Sequence, residues 1–408
     1  MSESKVSMVD VAKAAGVSYQ TVSRVINNSP LVRDSTRQKV QDVIAQLGYR
    51  PNLSAQSLKS QRTRMIGVIA SQTQYSGPLL TIAAIESMAR SRGLYVCVAT
   101  VDEARLNPAD FADVEENFIK LGVEAVVIVA PTEAMVTLAL DNSGRVRVPH
   151  VIITAAEGLQ DLESRRFDAA RVKFVSTDQD EASEAVSAVL AASGVTHVYY
   201  LDGPQQWRDA FTRRAACERA CAGAGLSVSV LEMNDWVSTN AYDRVGALLA
   251  RGARGGALVA GAGESGGAGA LGVPGVLGEP GEAGAPAEPG EPESGGEPSE
   301  PGRVAFWAAN DLLAMGARRA VLEAGLRVPD DVCLVGYDDM PGTESLVPPL
   351  TTVNPNYERV GSTAMQLVLD MLEYSTDEDE DAVELVTSEK LDCVYMVQPQ
   401  VVLRASTR

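Results

Sequence analysis

The sequence predicts an α/β protein with a short all-α head and a core of two lobes, each a doubly wound parallel sheet. The head is indicated by charge: residues 1–64 carry ten Lys or Arg and four Asp or Glu, 10 − 4 = +6, in a chain whose net charge is −19. The core is indicated by short apolar runs that alternate with helical segments from Met65 onward. Since distant charges are screened, the local basic patch, and not the total, decides whether the head meets a polyanion.

The first two helices of the head are predicted from capping residues. Ser7 caps a helix that runs to Gly16, where the missing Cβ permits a tight turn, and Ser18 caps the next helix, through about Asn27. Ala12, Gly16 and Val22 fit the spacing of a helix-turn-helix, although an ordinary helical hairpin has a similar pattern. The sequence thus predicts a helix-turn-helix DNA-binding domain over residues 1–51.

The third helix of the head is predicted to begin at Ser35, with Gln38 in capping-box spacing, and to stop at GYRP, residues 48–51. Its apolar residues form one stripe at helical spacing: Val40, Val43, Ile44 and Leu47. We therefore expect a compact trihelical module.

The second helix carries side chains suited to DNA. Gln20 can pair with adenine or guanine edges, Arg24 matches guanine O6 and N7, and Tyr19 suits a thymine methyl or a phosphate. If these residues were only solvated surface residues, the net charge of +6 on residues 1–64 would remain unexplained. The predicted DNA contacts are Ser18, Tyr19, Gln20, Thr21, Ser23, Arg24 and Asn27.

The core strands are predicted from continuous apolar runs, which are typical of parallel sheets covered on both faces. A stretch of about 340 residues is too long for one such sheet, so two lobes are expected, with ligands bound beyond the carboxyl ends of the strands. The predicted strands are MIGVIAS, YVCVATV, AVVIVAP, HVIIT, FVST, HVYYLDG, VAFWAAND and CLVGYDD.

Residues 252–302 interrupt the alternation with Gly, Pro and Glu. Eight Glu face one Arg there, 1 − 8 = −7. Gly recurs every third residue from Gly266 to Gly284, as in collagen, but Ala287 breaks the repeat and a single chain cannot form a triple helix. We predict an acidic, disordered insertion.

Other features exclude several classes of protein. There is no apolar stretch long enough for a signal or a membrane span, which predicts a soluble cytoplasmic protein with free thiols. Cys217 and Cys221 lie one helical turn apart, but only His150 and His197 could complete a metal site, so no metal and no cofactor are expected. No P-loop and no nucleophilic triad is present, so we predict that the protein is not an enzyme.

Several blocks together resemble the LacI/GalR family of transcriptional regulators: VSYQTVSRVIN in the second helix, NLSAQSLKS at 52–60, AANDLLAMGARRAVLEAGLRVPDDVCLVGYDD at 308–339, and the terminal VVLRAST. The resemblance implies a hinge helix and linker over 52–64 that fold on DNA, with Asn52 as cap, Ala55 at a close helix contact and Leu58 wedged into the minor groove. It implies a periplasmic-binding-protein-like core over 65–408. One head reads one half-site, so a homodimer on a pseudo-palindromic operator is expected; the end at LRASTR, without a further helix, favours a dimer over a tetramer.

The resemblance also implies a small-molecule effector, often a sugar, between the lobes. Matching residues suit a polyol by hydrogen bonding or by packing on a sugar ring, although Arg213 and Asp338 could equally be a lobe-stabilising ion pair. Pro355 and Tyr357 depart from the pattern of the best-matching family members, so a galactoside is not implied. The predicted effector residues are Ser71, Tyr75, Glu133, Arg213, Trp236, Asn310, Asp338 and Tyr357.

The sequence therefore predicts a sugar-released repressor of sugar-utilisation genes. Two alternatives remain open at this point: a regulator activated by a purine-like corepressor, and a sugar-binding transport protein, for which the basic head has no use.

Overall fold

The computed structural model describes residues 6–27, 29–50, 62–71, 75–156, 159, 167–255, 303–374, 383, 385–388 and 391–408. The predicted hinge residues Asn52, Ala55 and Leu58 lie outside these ranges, as do residues 256–302 of the predicted insertion. Those predictions therefore stay predictions.

The head consists of three helices, α1 (Met8–Ala15), α2 (Tyr19–Ile26) and α3 (Asp34–Leu47). Ser7 caps α1 through Asp10 in a capping box, and α1 ends at Gly16 in the left-handed conformation, with φ 63°. Ser18 caps α2 by accepting from the Thr21 amide at 3.1 Å. The predicted starts and ends of both helices are confirmed.

The predicted start of the third helix is wrong by one residue. The helix begins at Asp34, its N-cap residue Arg33 makes no side-chain cap, and Ser35 lies inside the first turn. Gln38 is not in a capping box; its amide donates to Asp42 at 2.9 Å. The apolar stripe is confirmed, since Val40 is buried with the α1 and α2 side chains in the core of the head, and Val43, Ile44 and Leu47 pack against that core.

The first lobe, called the N-lobe, contains a six-stranded sheet in the order β11-β5-β4-β3-β1-β2. All of its paired strands are parallel. Two helices cover each face, and two separate apolar cores fill the layers between them. Its elements are β1 (Met65–Ser71), α4 (Ser76–Ser91), β2 (Tyr95–Val101), α5 (Pro108–Leu121), β3 (Ala125–Val129), α6 (Glu133–Ser143), β4 (His150–Ile153), β5 (Val172–Thr177), α11 (Tyr357–Met371) and β11 (Val394–Val397).

The second lobe, called the C-lobe, contains a parallel sheet in the order β7-β6-β8-β9 and an antiparallel pair, β10 with β12. Its elements are α7 (Gln179–Ala192), β6 (Val195–Asp202), α8 (Arg208–Gly223), β7 (Ser227–Glu232), α9 (Ser238–Gly255), β8 (Arg303–Ala308), α10 (Asp311–Glu323), β9 (Val332–Val335), β10 (Thr352–Asn354) and β12 (Gln400–Val402). The chain passes between the lobes after β5, after β10 and after β11. The predicted fold class is confirmed.

The predicted strands are all present, and further strands were missed. β2 is less buried than its continuous Val run suggested, because it lies at the sheet edge with Tyr95 53% and Val98 46% exposed. The missed strands are β7 and the short β10, β11 and β12. Helix α9 includes residues 252–255, at the predicted beginning of the insertion.

Two negative expectations concern the same described residues. No helix among them is both long and apolar enough to cross a membrane. Within the described ranges, no group of three or more His, Cys, Asp or Glu side chains could hold a metal ion. All five cysteines are free, and the Cys217 and Cys221 sulfur atoms lie 3.9 Å apart inside α8.

Candidate functional site

The candidate DNA-binding surface is the outer side of α2. Val22 and Val25 are buried against α1 and α3 and thereby fix the helix, so that its other side faces solvent. Tyr19 is 52% exposed, and Gln20 and Arg24 are also exposed. These side chains are thus presented together from a rigid helix, as contact with base edges requires.

The remaining predicted DNA contacts differ in how free they are. Ser18 uses its hydroxyl as the helix cap and lies 2.9 Å from the Thr21 hydroxyl. Asn27 is exposed, and its amide donates weakly to Ser23 at 3.5 Å. A phosphate would therefore compete with local bonds at Ser18 and Thr21.

A second candidate site is a cavity between the two lobes. Its volume is about 750 Å³ when the open solvent at its mouth is included. The N-lobe supplies a largely apolar wall, including Pro78, Val129 and Ile153, and the C-lobe supplies the charged groups. The predicted residues that line the cavity are Tyr75, Arg213, Trp236, Asn310, Asp338 and Tyr357.

The floor of the cavity is a hydrogen-bonded network around Asp338. The Tyr357 hydroxyl donates to Asp338 Oδ1 at 2.7 Å, and Arg213 Nη1 lies 3.3 Å from the same oxygen. Arg213 also donates to the Ala309 carbonyl at 2.8 Å and lies over the Tyr337 ring, 3.7 Å from its centroid. Because Tyr357 begins α11 of the N-lobe and Asp338 follows β9 of the C-lobe, this network joins the lobes.

Burial and charge act in opposite directions at this floor. Burial raises the pKa of Asp338, while Arg213 and the Tyr357 hydroxyl oppose that rise by stabilising the carboxylate. Asp338 also has φ 102°, a backbone conformation that side chains rarely adopt. The turn after β9 therefore holds a carboxylate in a fixed place.

Aromatic rings form one corner of the cavity. The Tyr75 and Trp207 rings meet edge to face at 5.1 Å, and Trp207 meets Trp236 in the same way at 5.8 Å. Gly203 makes room for this arrangement, since a Cβ there would collide with the Trp236 ring. The Trp236 indole nitrogen is buried and has no hydrogen-bond partner in the described structure.

Three other predicted effector residues need separate mention. Asn310 lines the cavity, but its side-chain oxygen caps α10 by accepting from Leu313 N at 2.9 Å. Ser71 is completely buried at the end of β1 and does not line the cavity. Glu133 is also not a lining residue, because its carboxylate pairs with Arg208 across the lobes.

The Arg208 side chain and backbone hold the rim of the cavity together. Its amide donates to the Pro131 carbonyl at 2.7 Å, and its guanidinium donates to the Ala155 carbonyl at 3.0 Å. A backbone bridge between Thr132 and Trp207 runs alongside. Both the rim and the floor are thus joined by polar contacts between the lobes.

Sequence reasoning missed two prominent lining residues, Trp207 and Asp209. Both lie in the segment GPQQWRDAFTRR, residues 203–214, after the carboxyl end of β6, where ligands bind in folds of this class. The available signal was an aromatic and an acidic residue after the end of a strand, but only Arg213 was predicted as an effector residue from this segment.

Comparisons with known proteins agree with this architecture. Residues 7–52 match the family model described as bacterial regulatory proteins, lacI family, and residues 268–407 match the periplasmic binding protein-like domain. The chain therefore combines a LacI-family helix-turn-helix domain with a periplasmic-binding-like domain.

Two transcriptional repressors are similar to this chain over most of its length. The lactose operon repressor of Escherichia coli (strain K12) is 26% identical over 366 residues, covering 90% of this chain and 84% of the relative. The transcriptional repressor PurR of Vibrio campbellii is 24% identical over 405 residues, covering 98% of both. These relatives are regulators and not enzymes, and this chain shares with them the LacI-type DNA-binding domain of a transcriptional regulator.

Solved structures share the fold. The lac repressor dimer bound to operator and the anti-inducer ONPF has a TM-score of 0.70 at 23% identity, covering 99% of each chain. The complex of the regulator CelR with cellobiose has a TM-score of 0.57 at 22% identity, covering 98% of this chain and 99% of that one.

Proposed function

We propose that this protein is a homodimeric repressor of sugar-utilisation genes, released from a pseudo-palindromic operator when a small sugar binds between its lobes. The observation that carries the proposal is the pairing of an exposed recognition surface on α2 with a polar-floored, aromatic-walled cavity in the core. A transport protein would need the cavity alone.

The DNA-binding half of the proposal assigns Tyr19, Gln20 and Arg24 to base edges. Ser18, Thr21, Ser23 and Asn27 then contact phosphates, and the hinge residues Asn52, Ala55 and Leu58 form a helix on the operator. Each head reads one half-site, so two copies of the chain are required. The relative crystallised with operator is a dimer, which supports the same stoichiometry here.

The effector half assigns the floor network to sugar hydroxyls. Asp338 and Arg213 supply an acceptor and donors, Asn310 offers its amide NH₂ group, and Trp236 offers a flat apolar face. Ligand binding changes operator affinity only if it binds the two lobe arrangements unequally. In this proposal the sugar rotates the lobes, separates the hinges and weakens the operator complex.

Fluorescence anisotropy with the full-length protein and a labelled lac-like operator tests both halves. Sequence-specific binding should be steeply salt-dependent, because phosphate contacts release counterions. A sugar panel should contain a member that raises the operator Kd at least tenfold. A purine that tightens operator binding, with every sugar inert, would replace induction by corepression; the PurR relatives make this the relevant comparison.

A further inference from the structure

We propose that the effector carries a protonated amino group, held by Asp209 beside the aromatic corner of Tyr75, Trp207 and Trp236. An amino sugar is the ligand class that fits. This inference rests on the sugar-released repressor proposed above and names the chemistry that its cavity selects.

The charge of the cavity carries the first step. Asp209, Arg213 and Asp338 are its charged lining residues. Arg213 and Asp338 are paired with each other and bonded to Ala309 and Tyr357, so their charges compensate. Asp209 has no hydrogen bond or ion pair with any residue in the described part of the chain. Arg213 interacts electrostatically with both Asp338 and Asp209, so the three lining charges leave the cavity with a net charge of −1.

The place of Asp209 and the pairing of the neighbouring arginine decide which ligand charge fits. Asp209 lies in the first turn of α8. The other arginine near the mouth, Arg208, already pairs with Glu133. An anionic ligand such as a phosphorylated sugar would face Asp209 without a free arginine to receive it, whereas an ammonium group would neutralise it.

The aromatic corner supplies the second, independent observation. Neighbouring rings are nearly perpendicular, 86° between Tyr75 and Trp207 and 78° between Trp207 and Trp236. Ring faces are electron-rich and attract cations, most strongly at Trp. Trp207 immediately precedes the helix that carries Asp209, so the ring and the carboxylate are placed together by one local element.

The polar groups left unused fit the rest of such a ligand. Trp236 is 4% and Thr154 is 6% exposed, and both line the cavity with a buried donor that has no partner in the described structure. Hydroxyl oxygens of a sugar ring would satisfy them. A simple amine lacks those oxygens, which is why an amino sugar fits better than an alkylamine.

The test measures binding to the full-length protein by calorimetry at a pH where the amine is protonated. The probes are the 2-amino-2-deoxy derivatives of glucose, galactose and mannose, each with its parent sugar and its neutral N-acetyl derivative. We expect one amino sugar to bind at least tenfold more tightly than both of its neutral counterparts, and added salt to reduce that preference.

Variants then locate the preference. Asp209→Asn should abolish it, Asp209→Glu should retain part of it, and Asp243→Asn, which removes an exposed carboxylate of α9 outside the cavity, should leave it intact. Thermal unfolding of each variant checks that it folds.

The outcomes separate the two proposals. If neutral sugars bind and release operator but no amino sugar is preferred, or if Asp209→Asn retains the preference, the amino-sugar inference is overturned and the sugar-released repressor stands. If no sugar of either kind binds or alters operator affinity, both proposals fail.

Discussion

Removing the Tyr357 hydroxyl should loosen the connection between the lobes. In Tyr357→Phe the ring still packs against Gly77. The contact is close, because a Cβ added at Gly77 would lie 2.8 Å from the Tyr357 hydroxyl. The lost group is the donor to Asp338 at 2.7 Å. The hydroxyl also accepts from Arg213 Nη2, but at 3.5 Å, so the main loss is the bond between α11 of one lobe and the turn after β9 of the other.

The structure sets the size of the effect. Hydrogen bonds to charged groups contribute about 1.5–3 kcal/mol. Asp338 keeps Arg213 as a partner at 3.3 Å, so its carboxylate is not left unpaired. We therefore expect the lower part of that range, about 1.5–2 kcal/mol, which corresponds to a fall in Tm of roughly 3–8 °C. The pKa of Asp338 should also rise, because a bond that lowers it is gone.

A double-mutant cycle with Asp338→Gly isolates the bond. Gly suits the second position because it removes both acceptor oxygens and adopts the positive φ of 102° without strain. The free energies of unfolding of both single variants and the double variant should show a coupling of at least about 1 kcal/mol. Tyr95→Phe, at a side chain 53% exposed, is the matched control. Additivity within about 0.5 kcal/mol would refute the claim that this bond joins the lobes.

Three further predictions follow from other parts of the molecule. Gln20→Ala should weaken operator binding by about 1–3 kcal/mol per half-site, measured by anisotropy, with Gln41→Ala of α3 as control; equal affinity for both variants would remove Gln20 from the interface. Gly361→Ala should destabilise the protein by about 1–3 kcal/mol, because the added Cβ would lie 2.6 Å from the Thr81 carbonyl oxygen. Gly246→Ala, which has open space around the added Cβ, should stabilise the protein by up to about 1 kcal/mol. A Tm change of the same sign in both variants would contradict the packing argument. Burial raises the pKa of Asp311 to about 7, so the folded state binds this proton more tightly than the unfolded state does. The stability that this group contributes is therefore lost as the pH rises from about 4 to 7. Asp311→Asn should flatten that part of the Tm-against-pH curve, and an unchanged curve would disprove the argument.

The head was the easiest part to predict because its signals are local. Ser7, Gly16 and Ser18 decide helix ends through bonds within four residues, and those bonds are present. The third helix was placed one residue late because its N-cap residue, Arg33, makes no side-chain cap. Its start is not set by a capping side chain, so residue types there carry little signal.

The fold class of the core was predicted correctly, but β7, β10, β11 and β12 were not predicted as strands. Runs such as MIGVIAS are buried along nearly their whole length, which matches the reasoning from continuous apolar residues. β7, with the sequence SVSVLE, lies at a sheet edge and alternates Ser with Val, so it lacked such a run. β10 and β12 have three residues each and depend on pairing with each other.

Cavity residues were predicted correctly where the residue type alone limits what the side chain can do. They were missed where the position in the folded chain decides whether the side chain lines the cavity. Glu133 has a suitable carboxylate but turns to Arg208, a partner 75 residues away in the chain. Asp209 has an ordinary residue type and becomes notable only because the nearby Arg213 is already paired with Asp338 within the C-lobe. Such distinctions depend on contacts between distant segments, which a single sequence does not display.

Residues 62–64, which precede β1, are bonded to the N-lobe. Arg62 donates to the Leu372 carbonyl at 3.1 Å and lies over the Tyr374 ring, whose hydroxyl donates to Glu124 at 3.0 Å. The Arg64 amide donates to the same Glu124 at 2.6 Å. Every one of these partners belongs to the N-lobe, so residues 62–64 move with that lobe. In the proposed function, a ligand in the cavity alters DNA binding by changing how the N-lobe sits on the C-lobe, and the Tyr357–Asp338 bond lies in that joint.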